Sequence, residues 1–223
     1  MPQSQQAVSC PSGVDSAHVN CRFCGVGERE RSVAGSDGIV VIPSVGSLVP
    51  GWLLVIPVEH VLTLAEIRVT DREPFSAAAS AAASLVAPLG EGVVQFEHGP
   101  AREGRSAGCG VDHAHLHVVP VRMRMRASLH GLDPVAERLK WQQTDWPWTA
   151  RRNAELDYLF VRETDATGWI AEAETIPSQA FRRSIARFMG QAHWDWKDPQ
   201  TRDERARTYA ILTGDRAADH ARR

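Results

Sequence analysis

No apolar run in this chain of 223 residues approaches the roughly 20 residues of a membrane span. Nor is there an excess of charge. The formal charge of −2 offers no electrostatic footprint for nucleic acid or for a membrane surface, so neither is expected as a partner. Residues 1–11 are polar and lack the basic and apolar regions of a secretory signal, which makes cytoplasm the expected location. Cysteine is scarce: four residues are too few for a disulfide-built scaffold, and an apolar content of 43% makes one unnecessary. Internal repeats and low-complexity linkers are absent as well.

What is present is a row of histidines. Asp112-His113-Ala114-His115-Leu116-His117-Val118-Val119-Pro120 alternates imidazole with small or branched apolar residues. Strict alternation is the period of a half-buried β-strand, so Ala114, Leu116 and Val118 are expected in a core and the three imidazoles on the opposite face. Such a row suits a ligand longer than one atom, such as a phosphoester. A His-rich surface strand and a three-histidine metal site are the other readings of the same pattern.

Cys21 and Cys24 form a C-x-x-C, which reads as metal-binding or redox-active before it reads as a disulfide. A zinc ion would need two further ligands, and His60 and His113 are the best placed by type. A closed Cys2His2 shell is the form of structural zinc. A redox pair and two unligated thiols are the alternatives. With His113 assigned to a metal, His115 and His117 remain for chemistry. A neutral imidazole attacks phosphorus well when its other nitrogen is held by an acceptor. The preceding loop, Gly99 to Gly110, contains four glycines, and Gly108 to Gly110 is the candidate to aim backbone N–H groups at phosphate oxygens.

Elsewhere, Ile39 to Ile42 and Trp52 to Ile56 read as buried strands, each ending at a proline, and Val93 to Phe96 as a third. A helix capped near Thr70 or Asp71 would bury Phe75, Ala79, Ala82, Val86 and Leu89, spaced by three and four. Residues 1–18 are expected to be loose, 19–126 to form the catalytic domain, and 127–223 to be an extension packed on it. The extension carries six of the seven tryptophans and a second expected helix from about Gln179 to Ala192. Arg122 to Arg126 reads as a solvated charged strand end, with a phosphate-facing strip as the alternative.

His113-Ala-His115-Leu-His117-Val-Val resembles the signature of the histidine triad superfamily of nucleotide hydrolases and transferases. Pro50-Gly51-Trp52-Leu-Leu-Val-Ile-Pro57-x-x-His60 resembles that family's Pro-Gly-His-x-Leu-x-x-Pro-x-x-His strand. The resemblance covers about residues 20–121. It implies an α+β fold with a five-stranded antiparallel sheet and two helices, often dimerised through the sheet edge. The C-terminal extension lies outside the resemblance and is expected to be mostly helical or irregular. It also implies that His115 attacks a nucleotide phosphate to form a covalent intermediate, that His117 assists at the phosphate, and that Cys21, Cys24, His60 and His113 hold zinc.

The departures fall in the substrate pocket. Trp52 replaces a histidine that normally supports the nucleophile. Ser44 stands where an acidic residue or amide would bind ribose, and Glu97 where an amide would contact phosphate. Cys109 and Gly110 replace the residues before the signature. A hydrolase acting on a phosphoanhydride, phosphoester or phosphoramidate is therefore the leading expectation. A transferase or phosphorylase, a non-catalytic nucleotide-binding protein and a three-histidine metalloenzyme are the rivals.

Overall fold

Both apolar runs that end in proline form strands in the computed structural model, which describes residues 21–25, 32–36 and 38–214. The segment expected to be loose, 1–18, and Cys10 lie outside the described residues. In chain order the strands are β1 (Ala34–Ser36), β2 (Ile39–Pro43) and β3 (Leu53–Pro57), followed by helix α1 (Val69–Val86). Then come β4 (Val94–Gly99), β5 (Leu116–Val119) and the single-turn helix α2 (Met125–Ser128). The remaining elements are β6 (Gln142–Gln143), β7 (Asp157–Arg162), β8 (Gly168–Ala173), α3 (Ala180–Phe188) and α4 (Arg205–Thr213).

All eight strands join one antiparallel sheet in the order β1-β2-β3-β5-β4-β7-β8-β6. The fold is thus α+β, with eight strands rather than the five expected. The extra three come from the segment after residue 126. Asp157-Tyr-Leu-Phe-Val-Arg162 is buried at five of its six positions because both faces of the sheet are covered there. A strand covered on both faces shows no alternation, and periodicity alone does not separate it from a buried helix. Its pairing has a further consequence. Without these residues β4 would be an edge strand, but it pairs with β7 along Gln95–Gly99 and is closed to a second copy of the chain.

The expected helix is α1. It begins earlier than the Thr70/Asp71 cap predicts, with Arg68 at the cap position, and it buries Phe75, Ala79, Ala82 and Val86. Leu89 instead falls in a following 3-10 turn and is exposed. This face of α1 packs on Val41, Leu53, Val55, Ala114, Leu116 and Val118, so the apolar residues between the histidines enter the core as their alternation requires. The opposite face of the sheet carries Trp52, Phe96, Val119 and Val161, covered by Phe181 and Ile185 of α3. α3 ends at Phe188, and Phe188 and Met189 are exposed. No helix among the described residues is long and apolar enough to cross a membrane.

Candidate active site

The two ends of the histidine row are fixed in different ways. At the first end, Cys24 Sγ lies 3.2 Å from His60 Nδ1 and 3.6 Å from His113 Nδ1, and Cys21 Sγ lies 3.4 Å from His113 Nδ1. All four ligand atoms fall within 4.8 Å of one another. A tetrahedral zinc shell has ligand–ligand edges of about 3.3–3.8 Å, as follows from its bond lengths. The three sulfur–nitrogen separations sit at that scale. The second ring nitrogen of His113 strengthens the fit. Its Nε2–H donates to the carbonyl of Pro57 at 2.8 Å, which leaves the Nδ1 lone pair facing the thiols. Metal-bound histidines are oriented by this kind of outer hydrogen bond. The four residues therefore form a group able to hold a metal ion.

His115 and His117 continue the row into a pocket. His115 precedes β5, and its Nδ1–H donates to the carbonyl of His113 at 2.8 Å, so Nε2 carries the lone pair. His117 sits within β5, opposite Leu54 of β3 and Phe96 of β4, and stacks on the Phe96 ring at 4.5 Å. The indole N–H of Trp52 donates to His117 Nδ1 at 3.0 Å. An indole only donates, so Nδ1 is the acceptor and the His117 proton resides on Nε2. Burial lowers the pKa of both imidazoles, further for His117, which keeps them neutral. The rings stand 4.9 Å apart. Side by side they present a lone pair on His115 and an N–H donor on His117.

The pocket is a cleft of about 550 Å³ including its mouth. The sheet lines it with Ile42, Leu54, Phe96 and both histidines, and Arg22 and Phe23 close one side. Phe23 packs edge-on against His113 and His115, so the same short segment that carries the two thiols shapes the pocket wall.

Residues 28–124 match the family model of the HIT domain. This chain carries a HIT domain. Solved structures similar to it include a Hit-like protein involved in cell-cycle regulation from Bartonella henselae, at 22% identity and TM-score 0.39 over 46% of this chain and 76% of that one. A HIT family hydrolase from Clostridium thermocellum shows 25% identity and TM-score 0.36 over 46% of this chain and 90% of that one. Likenesses this distant carry none of the functional reading, which rests on the residues. No curated protein matches the chain. HIT membership supports a nucleotide-binding or hydrolytic function at the level of the superfamily.

Within the HIT domain, the residues expected to touch substrate divide. Ser44 and Cys109 line the pocket. Burial raises the Cys109 thiol to about 11, so it stays protonated, and it accepts the N–H of Gln179. Glu97 does not belong to the site. Alternation along β4 turns Phe96 and His98 toward the pocket and Glu97 to the other face. There Glu97 is buried, accepting hydrogen bonds from the Leu64 N–H at 2.7 Å and the Tyr158 hydroxyl. Burial lifts its pKa to about 8.

The expectation that Gly108 to Gly110 aims N–H groups at phosphate is corrected for Gly108 and Cys109. The N–H of Gly108 bonds the Arg105 carbonyl and that of Cys109 the Ser106 carbonyl, both within a tight 3-10 turn. Gly110 serves the backbone: its φ of +82° lies in the left-handed region that favours glycine. Among the polar pocket residues missed by sequence reasoning are His98, Gln179, Arg182 and Trp196. The β4 alternation could have found His98. Nothing local marks the other three, which arrive from the segment after residue 126.

Proposed function

We propose that the chain is a HIT-type hydrolase acting on a phosphoanhydride, phosphoester or phosphoramidate, with a nucleotide as the phosphoryl-bearing part. The observation that carries this reading is the paired tautomer state of the two pocket histidines. His115 Nε2 forms the bond to phosphorus while the bond from phosphorus to the leaving group breaks, and the leaving group departs with that electron pair and gains a proton from solvent. The positive charge developing on the His115 ring is stabilised at Nδ1–H by the carbonyl of His113, 2.8 Å away. His117, with its proton on Nε2, donates to a phosphoryl oxygen. Water then attacks phosphorus, the N–P bond breaks with its electron pair returning to His115 Nε2, the water gives up a proton to solvent, and His115 returns to its starting state. In sum, one water adds across one P–O or P–N bond.

Trp52 weighs against the non-catalytic reading. The tryptophan that stands in place of the family's histidine donates a ring N–H to His117 Nδ1, the ring that assists at the phosphate. In the metal group, Cys21, Cys24, His60 and His113 would hold a zinc ion, which would pin the short thiol-bearing segment to the sheet beside the pocket. The reading is tested by assaying His115→Ala against a panel of nucleoside phosphoanhydrides and phosphoramidates. Turnover should vanish while fold and metal content persist. Undiminished turnover sinks the mechanism.

A further inference from the structure

The segment after residue 126 delivers a buried positive charge to the pocket. Arg182 of α3 is 4% exposed and lines the same cleft as the histidines. Its Nε donates to the carbonyl of Trp194, whereas Nη2 has no hydrogen-bond partner among the described residues. It makes no ion pair among the described residues; Asp195 and Asp203 influence it only from a distance. An unpaired buried guanidinium is costly, by several kcal/mol, unless something outside the chain compensates it. Burial lowers its pKa to about 10, which leaves it fully charged near neutrality.

A second orphan lies in the same pocket. His98 is 7% exposed, and its Nε2 accepts the backbone N–H of Phe181 at 3.3 Å. The proton of the neutral ring is therefore on Nδ1, which has no partner among the described residues. Unmet buried donors are rare and destabilising, so two in one cleft mark a place built for an acceptor.

Both orphans adjoin the reacting histidines. The Arg182 guanidinium lies over the Trp52 ring at 5.0 Å, and that indole donates to His117. The His98 and His117 rings are 6.3 Å apart. Arg182 Nη2 lies against Gly46, whose φ is +60° and where a Cβ would stand 3.1 Å from the Trp196 backbone and 3.2 Å from Nη2.

We propose that Arg182 and His98 bind a second anionic group of the substrate, a phosphoryl group next to the one attacked, and so select phosphoanhydrides over phosphoramidates and uncharged esters. The selection builds on the proposed hydrolase reading, because it assigns the leaving side of the same reaction. Arg182 offers two or more N–H donors and a full charge, His98 a single neutral donor. Together they stabilise the negative charge that the departing phosphate acquires as its bond to the attacked phosphorus breaks.

The test uses the full chain, with inorganic pyrophosphate as binding probe and ADP and adenosine 5′-phosphoramidate as a substrate pair. Pyrophosphate should bind the wild type and His115→Ala alike, and at least about tenfold more weakly to Arg182→Gln, as for the loss of a charge-assisted contact. The ratio of kcat/KM for ADP over the phosphoramidate should fall about tenfold or more in Arg182→Gln and recover in part in Arg182→Lys. If Arg182→Gln fails to fold, His98→Phe serves instead, and it should weaken pyrophosphate binding severalfold. Pyrophosphate binding that is absent from the wild type, or unchanged in the folded variants, overturns the proposal. Full turnover by His115→Ala together with lost pyrophosphate binding by Arg182→Gln would leave the anion site standing and reject only the covalent mechanism.

Discussion

Replacing Trp52 by phenylalanine removes one N–H from a fully buried position while keeping an aromatic ring under Arg182. That N–H is the 3.0 Å donor to His117 Nδ1, which would then have no fixed partner. A buried acceptor left unsatisfied costs about 1–3 kcal/mol. The loss also frees His117 to place its proton on Nδ1, where it no longer serves a phosphoryl oxygen. At ~1.4 kcal/mol per factor of ten, kcat should fall roughly 5- to 150-fold. KM should change less, because the donor acts on the charge that grows during phosphoryl transfer. The smaller ring also leaves a gap, so Tm should drop too. Trp52→His separates the two effects: it restores a ring N–H without restoring the volume. Steady-state kinetics and thermal melting of both variants decide the matter. Recovery of kcat in Trp52→His at a lowered Tm is expected. A folded Trp52→Phe with wild-type kcat, or two variants equally slow, would refute the tautomer argument.

Three further outcomes follow from the same geometry. Purified chain should contain about one zinc per molecule, and Cys21→Ser or Cys24→Ser should lose it, as metal analysis would show. Chelation should lower the Tm of the wild type but not of those variants; retention of the ion by them would exclude the mixed thiol–imidazole site. Glu97 carries a pKa raised by burial to about 8, so folding favours its protonated form. The stability it contributes is full below the unfolded value of about 4.3 and is lost as pH rises through about 8. Glu97→Gln should flatten this fall in denaturant midpoint between pH 5 and 8; an unaltered slope would contradict the assignment.

The N-terminal half of the fold was legible because its pattern is local. Proline-terminated apolar runs mark β2 and β3, and steps of three and four mark α1. The histidine alternation gave the sidedness of the row even though only residues from Leu116 onward pair as a strand. The hairpin of β7 and β8 was not legible. Its residues pack on both faces, and its register is set by pairing with β4, about 60 residues earlier.

The site divides along the same line. Cys21, Cys24, His60 and His113 were found by ligand chemistry. Glu97 was misassigned by following an aligned position instead of strand parity, which points to His98. Arg182 was invisible for a different reason. Its position in the pocket depends on α3 packing against Phe96 and on a chain of contacts from Cys109 through Gln179 to Asp195 and Trp196. No spacing within the sequence encodes that proximity.

The central claim is that His115 becomes covalently bonded to phosphorus. Rapid acid-free quenching of the wild type during turnover of a radiolabelled nucleoside phosphoanhydride, followed by peptide mass spectrometry, measures this directly. The account predicts a nucleotidyl adduct on the peptide carrying His115, formed and consumed at rates compatible with kcat and missing from His115→Ala. Sustained turnover with the label found on no histidine, or found on His117, would contradict it.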